Sequence, residues 1–320
     1  MNRGLLRLLT GGYGRQGLWL APLIVTLLLA GFLTVRTPDF LRTENLLNVV
    51  AQVLPIMITA IGQTFVVIAG GLDLSVGSLI SFTTAVLAMD GPGYILIPAA
   101  FAFAVLVGLT NGLVVTRFNV HPIIATLAMQ YILLGAVRLL RPVAGGTLPD
   151  IVLESVNGAP FGIPMALIWA VVAIATAWKL LYGTRFGLHL FAIGGGTASG
   201  NEQAARNFGV SDKRTMVLAY VISSCFAALA GVYLAGRISS GDPNVGLGFE
   251  LDAITAVAIG GTQLSGGIGS LPGTVIGALV LALLSNGMNL TNISPFIQTA
   301  IKGAILMAVV GLQSRKKMGL

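Results

Sequence analysis

Ten apolar stretches follow one another along the 320 residues of this chain, near 18–35, 46–70, 74–89, 94–116, 121–140, 163–181, 215–235, 252–265, 271–289 and 295–312. About 20 consecutive apolar residues let an α-helix cross the ~30 Å hydrocarbon layer of a bilayer. The expected fold is therefore an all-α polytopic membrane protein with about ten transmembrane helices. The third and eighth segments are short enough to be broken or re-entrant. The connections carry turn signals, at Asp90-Gly91-Pro92-Gly93, from Pro142 to Pro149 and at Gly266-Gly267, and none is long enough to link a second soluble domain. Residues 1–320 read as a single transmembrane domain. Composition agrees, because only 9% of residues are charged, whereas a water-exposed surface brings that share to about a quarter. The single cysteine, Cys225, excludes an internal disulfide.

Charge gives the map a direction. Arg3, Arg7 and Arg15 precede the first apolar run, which is long and followed by many more, so it reads as an uncleaved first span rather than a signal peptide. With the N-terminus inside, twelve of the eighteen basic residues face the cytoplasm: Arg3, Arg7, Arg15, Arg117, Lys179, Arg185, Arg206, Lys213, Arg214, Arg315, Lys316 and Lys317. Arg36, Arg42, Arg138, Arg141 and Arg237 fall outside, and Lys302 lies within the last span. Most acids run the other way. This is the positive-inside pattern, with both termini cytoplasmic. It also accounts for the net charge of +7 without a nucleic-acid partner.

One internal echo stands out. Residues 64–79 and 255–271 both pass from a β-branched apolar run through a Gly-Gly break to Leu-Ser and then Gly-Ser-Leu, allowing short gaps. Gly-interrupted segments at corresponding places in two halves of a transporter point to its transport path. Asp73 and Ser75 in the first copy, and Thr262 and Gln263 in the second, are the candidate path or gate residues. Asp73 and Ser75 also suit a buried helix cap, and a cap on a broken helix is compatible with a gate. Whether the repeat is parallel or inverted stays open, as does a merely local similarity.

Two further segments carry information. Residues 201–210 look like a short helix in the longest cytoplasmic connection, with Asn201 as N-cap, Glu202 at its positive end and Gly209 as a stop. Ala204 and Ala205 form a small face against which another surface can press. A simple surface helix is the competing reading. The glycines from Gly248 to Gly277 lack the lysine and hydroxyl residue of a phosphate loop and follow no strand, so nucleotide binding is rejected.

Gly71-Leu-Asp-Leu-Ser-Val-Gly77, Gly194-Gly195 ahead of Asn201-Glu-Gln-Ala-Ala205, and Glu250-Leu-Asp-Ala-Ile-Thr-Ala-Val-Ala-Ile-Gly-Gly-Thr262 followed by Leu-Ser-Gly-Gly267 occur in this order. Together they resemble the permease subunits of ribose-type ABC importers. The resemblance runs from the second span to the C-terminus. It implies a permease of the bacterial inner membrane that passes a sugar or sugar-like solute. It also implies a cytoplasmic ATP-binding subunit, a periplasmic solute-binding protein, and a second permease copy or paralogue beside this one in the lipid. Asn201, Glu202, Ala204, Ala205 and Gly209, within a segment at about 196–212, would then couple to the ATPase. Asp242, Glu250 and Asp252 would be contacts for the binding protein. The asparagine comes later after the Gly-Gly pair than the family pattern places it, because Gly196-Thr-Ala-Ser-Gly200 intervenes.

Other chemistries find little support. His121 and His189 have no second ligand at metal-binding spacing, no nucleophile–base pair or carboxylate cluster lies in the spans, and no cofactor is expected. An enzyme is therefore excluded. An ion-gradient-driven secondary transporter of a small polar solute is the rival, with Asp73 as its acidic carrier. Lys302 either snorkels to the interface or pairs with an acid such as Asp252.

Overall fold

The computed structural model describes residues 19–199 and 211–312. Its helices are α1 (Leu20–Arg36), α2 (Thr43–Ile68), α3 (Val76–Leu87), α4 (Gly93–Arg117), α5 (Pro122–Leu140), α6 (Asp150–Asn157), α7 (Met165–Tyr182), α8 (Arg185–Ser199), α9 (Asp212–Ile238), α10 (Phe249–Ile259), α11 (Leu271–Leu290) and α12 (Pro295–Leu312). Among the described residues the only strand-like pairing is an isolated bridge between Gly145 and Gly241.

Seven of these helices, α2, α4, α5, α7, α9, α11 and α12, are long and apolar enough to cross a membrane. The chain is thus an all-helical, polytopic membrane protein. The expectation of about ten spans was finer than this. α1 has 17 residues. α3 and α10, the third and eighth segments, have 12 and 11. At 1.5 Å per residue the last two reach only ~18 Å, well short of the ~30 Å hydrocarbon layer. α6 and α8 lie in stretches that the hydropathy map left as connections. α6 buries Val152 and Val156, one helical turn apart, and leaves its acids outward.

α2 sits at the centre and α12 at the periphery, since 83% of the most apolar window of α2 is buried and only 6% of that of α12. α9 packs on α4, α2 and α3, while α2 also receives α11, α10 and α7. Without a hydrophobic force between helices in lipid, close backbone approach is what joins them, and small residues permit it. A Cβ on Gly108 would stand 2.5 Å from the Val221 Cα, and one on Gly112 2.7 Å from the Val217 Cα. α4 and α9 therefore run antiparallel at near backbone contact. Phe65 of α2 stacks between Phe186 and Phe226, at 6.2 Å from each. The outer faces carry Leu28, Val35, Leu139, Val171 and Phe296, all exposed. So large an apolar surface has no place in water and suits lipid.

Candidate functional site

The first break follows from residue chemistry. α2 ends at Ile68, and Gly70 adopts a left-handed φ of 88°. The Gly70 N–H donates to the Val67 carbonyl and the Gly71 N–H to the Val66 carbonyl, both at 2.9 Å. These are the paired bonds of a Schellman cap, whose left-handed position favours glycine. The chain then runs unwound to Ser75 before α3 begins.

Unwound backbone inside a helical bundle persists only where neighbouring groups satisfy its N–H and C=O. Here four helices do so. The Gln63 carboxamide of α2, oriented by these partners, donates to the Asp73 carbonyl (3.2 Å) and accepts from its N–H (3.0 Å). Tyr220 of α9 and Thr126 of α5 each donate to the Leu72 carbonyl at 3.3 Å. The Asp73 side chain, wholly buried, accepts from the Ser75 N–H (3.0 Å) and Ser75 Oγ (2.6 Å) on Oδ1, and from Ser223 Oγ on Oδ2 (3.1 Å). Asn111 of α4 donates to Ser75 Oγ at 2.9 Å. Asp73 and Ser75 are thus one polar node that ties the break to α4 and α9.

The second break repeats the first. α10 ends at Ile259, Gly261 has φ of 82°, and the Gly261 and Thr262 N–H groups donate to the Ala258 and Val257 carbonyls at 3.1 and 3.2 Å. Ser270 then caps α11 by accepting from the Gly273 N–H. Thr262 is buried and accepts from the Ser270 N–H at 3.2 Å. Gln263 closes the loop through its backbone, donating to the Ile268 carbonyl at 2.9 Å. The two breaks touch: the Gly267 N–H donates to the Ile68 carbonyl at 2.9 Å, and Thr64 and Thr274 join hydroxyls at 2.9 Å. α8 wedges in at the same point. A Cβ on its Gly194 would collide with the Ile68 carbonyl and stand 2.5 Å from the Gly267 nitrogen.

Asp242, Glu250 and Asp252 have different settings. Asp242 accepts from the Asn244 N–H at 2.8 Å, while its own N–H donates to Thr84 at 3.1 Å. Asp252 pairs with Lys302 at 2.8 Å, with both side chains mostly buried. Glu250 is only 8% exposed and accepts on Oε1 from Gln130 (3.2 Å) and the Gly248 N–H (3.3 Å). Its Oε2 has no partner. Asn201, Glu202, Ala204, Ala205 and Gly209 lie outside the described residues.

The sequence reading missed the strap at 241–248 and the surface it lies on. Gly77, Ser81 and Thr84 of α3 and its C-cap Ala88 fall at i, i+4, i+7 and i+11, and each is small enough to let the strap approach. The Gly246 N–H donates to Ser81 Oγ at 2.9 Å, Gly246 abuts the Gly77 carbonyl, and a Cβ on Gly241 would stand 2.8 Å from that of Ala88. That spacing was visible in the sequence, yet it marks only a small-residue face and names no partner. Among the described residues no group of three His, Cys, Asp or Glu side chains could hold a metal ion.

Comparison with known proteins adds the rest. A family model described as a branched-chain amino acid transport system / permease component matches residues 45–310. The ribose import permease protein RbsC of Escherichia coli (strain K12) is 34% identical over 304 residues, covering 92% of this chain and 93% of its own. The ribose import permease protein RbsC of Bacillus subtilis (strain 168) is 37% identical over 309 residues, covering 93% of each. The galactose/methyl galactoside import permease protein MglC of Escherichia coli (strain K12) is 32% identical over 318 residues, covering 92% of this chain and 93% of its own. No solved structure matches the chain.

Proposed function

The chain belongs to the branched-chain amino acid transport system / permease component family, and from its ribose-importing relatives we propose that the solute it passes is a sugar of the pentose kind. It is a multi-pass inner-membrane permease subunit of a sugar ABC importer, and it is not an enzyme. ATP is hydrolysed by a separate ATP-binding subunit, and a periplasmic binding protein delivers the solute. The pentose assignment rests on one observation: two relatives that each cover more than nine-tenths of this chain are ribose import permeases.

The finer organisation follows from this reading. Ten segments cross or enter the bilayer as one transmembrane domain, both termini are cytoplasmic, and the chain pairs with a second permease copy or paralogue. The segment around Asn201–Gly209, including Glu202, Ala204 and Ala205, docks into the ATPase. Asp242, Glu250 and Asp252 lie towards the binding protein, and Asp73, Ser75, Thr262 and Gln263 frame the gate. The chain itself needs no cofactor. In this scheme ATP binding draws the coupling segments together and the breaks respond by alternating access.

The test is uptake of radiolabelled D-ribose into proteoliposomes that hold the chain with its ATP-binding subunit and binding protein. Uptake should require ATP and vanish when this chain is omitted. Accumulation under a proton or sodium gradient without the ATPase would refute the importer, and ATP-driven uptake of a solute without hydroxyls, with none of ribose, would refute the sugar.

A further inference from the structure

Glu250 poses a question that helix capping only half answers. It stands in the first turn of α10, where a carboxylate suits the positive end of the helix. Its Oε1 accepts the Gly248 N–H at 3.3 Å, as a cap would. Its Oε2 nevertheless points to no donor, although the residue is only 8% exposed. A buried acceptor left unpaired is costly, and a carboxylate more so.

The surroundings say what would satisfy it. Oε2 faces Gly77 in the first turn of α3, so closely that a Cβ there would collide with it. Gln130 of α5 turns its Nε2 towards Oε1 at 3.2 Å. An amide N–H directed at the carboxylate disfavours a cation there, and no cluster of metal-ligating side chains exists among the described residues. A carboxylate acceptor beside a carboxamide, which has both donor and acceptor atoms, is instead the pairing that takes neighbouring hydroxyls. Each hydroxyl donates to one oxygen and accepts from the amide. The strap at 241–248 closes this spot by lying on the small-residue face of α3 through the Gly246 N–H to Ser81 (2.9 Å) and the Asp242 N–H to Thr84 (3.1 Å). The Gly145–Gly241 bridge, Arg138 to Asn244 (3.4 Å) and Val245 packed on the core also hold it, so lifting the strap breaks these contacts too.

We propose that Glu250 and Gln130 form a hydroxyl-binding contact for the solute in the transport path, masked in this conformation by the strap against Gly77 and opened when the strap lifts. The proposal rests on the sugar-importer reading and adds the residues that meet the sugar inside the permease.

The test uses the whole importer in proteoliposomes. Replacing the sole cysteine by Cys225→Ser allows Glu250→Cys, and separately Gln130→Cys, to report access. A charged, membrane-impermeant methanethiosulfonate should label both positions about tenfold faster during ATP turnover than at rest, and D-ribose should slow that labelling. Glu250→Gln keeps the cap but loses the carboxylate, and D-ribose uptake should fall about tenfold with ATPase activity retained. Labelling that stays slow at both positions during turnover, or normal uptake by Glu250→Gln, would overturn the contact. Absence of ribose uptake by the unaltered importer, with turnover-dependent labelling intact, would instead count against ribose as the solute.

Discussion

The Asp73 node distinguishes a structural anchor from a charge that moves. Asp73→Ala removes the acceptor of three buried donors, the Ser75 N–H, Ser75 Oγ and Ser223 Oγ. The hydroxyls can turn away and the amide cannot, so the loss is about 1–3 kcal/mol, the usual cost of one orphaned buried donor. Asp73→Asn keeps an oxygen at Oδ1 for Ser75 and places an NH₂ against Ser223, whose hydroxyl can accept instead. That change should cost about 1 kcal/mol or less. The assay pairs the thermal midpoint of the detergent-purified protein, read by fluorescence size-exclusion, with ATP-driven D-ribose uptake in proteoliposomes. Asn should keep both near normal, while Ala should lower the midpoint sharply. Equal midpoints for Ala and Asn would refute the anchoring argument. A well-folded Asn variant without uptake would show that the charge itself is used, as an ion-driven carrier requires.

Three further outcomes are expected. Lys302→Met and Asp252→Asn should each destabilise the protein, and the double variant should lose less than their sum by about 1–2 kcal/mol in a thermodynamic cycle, because the 2.8 Å pair is mostly buried. Gly194→Ala should cost at least about 3 kcal/mol, since its Cβ meets the backbone at Ile68 and Gly267, whereas Gly31→Ala and Gly303→Ala, with open space around them, should raise the thermal midpoint slightly. A bulky residue at Ala204 or Ala205 should leave membrane insertion intact and abolish ATP-driven uptake; normal uptake would refute the coupling assignment.

How far the sequence could be read follows from the range of each interaction. The long helices α2, α4, α5, α7, α9, α11 and α12 announce themselves because hydropathy is local, and a window of 18 residues suffices to see it. The two breaks were legible because a Schellman cap leaves Gly-Gly at a fixed place after the last turn. α8 was not, since Gly194, Gly195 and Gly196 lower its helix propensity and its placement depends on contacts with α2 and the second break. The Asp73 node was half visible. Its Ser75 bond is two residues away, but Asn111 and Ser223 arrive from α4 and α9, and no spacing along the chain foretells them. Lys302 had two readings in the sequence, and only the packing of α12 on α10 decides for Asp252.

The sequence echo acquires a physical meaning from the same contacts. Both copies stop a helix with the same two backbone bonds, and the left-handed residues, Gly70 and Gly261, hold corresponding places after Ile68 and Ile259. The breaks do not stand apart as two independent caps. Main chain meets main chain at Ile68 and Gly267, a Cβ on Gly266 would stand 2.9 Å from the Gly70 Cα, and Gly194 of α8 fills the remaining side. Glycines meet backbone directly at this junction, so close-packed main chain passes displacement on. Moving α8 therefore disturbs both breaks together. α8 also leads directly into residues 200–210, the connection proposed above to dock into the ATPase. The Gly-Gly pairs thus serve twice: each ends a helix, and together they form the junction at which the two copies and α8 are held.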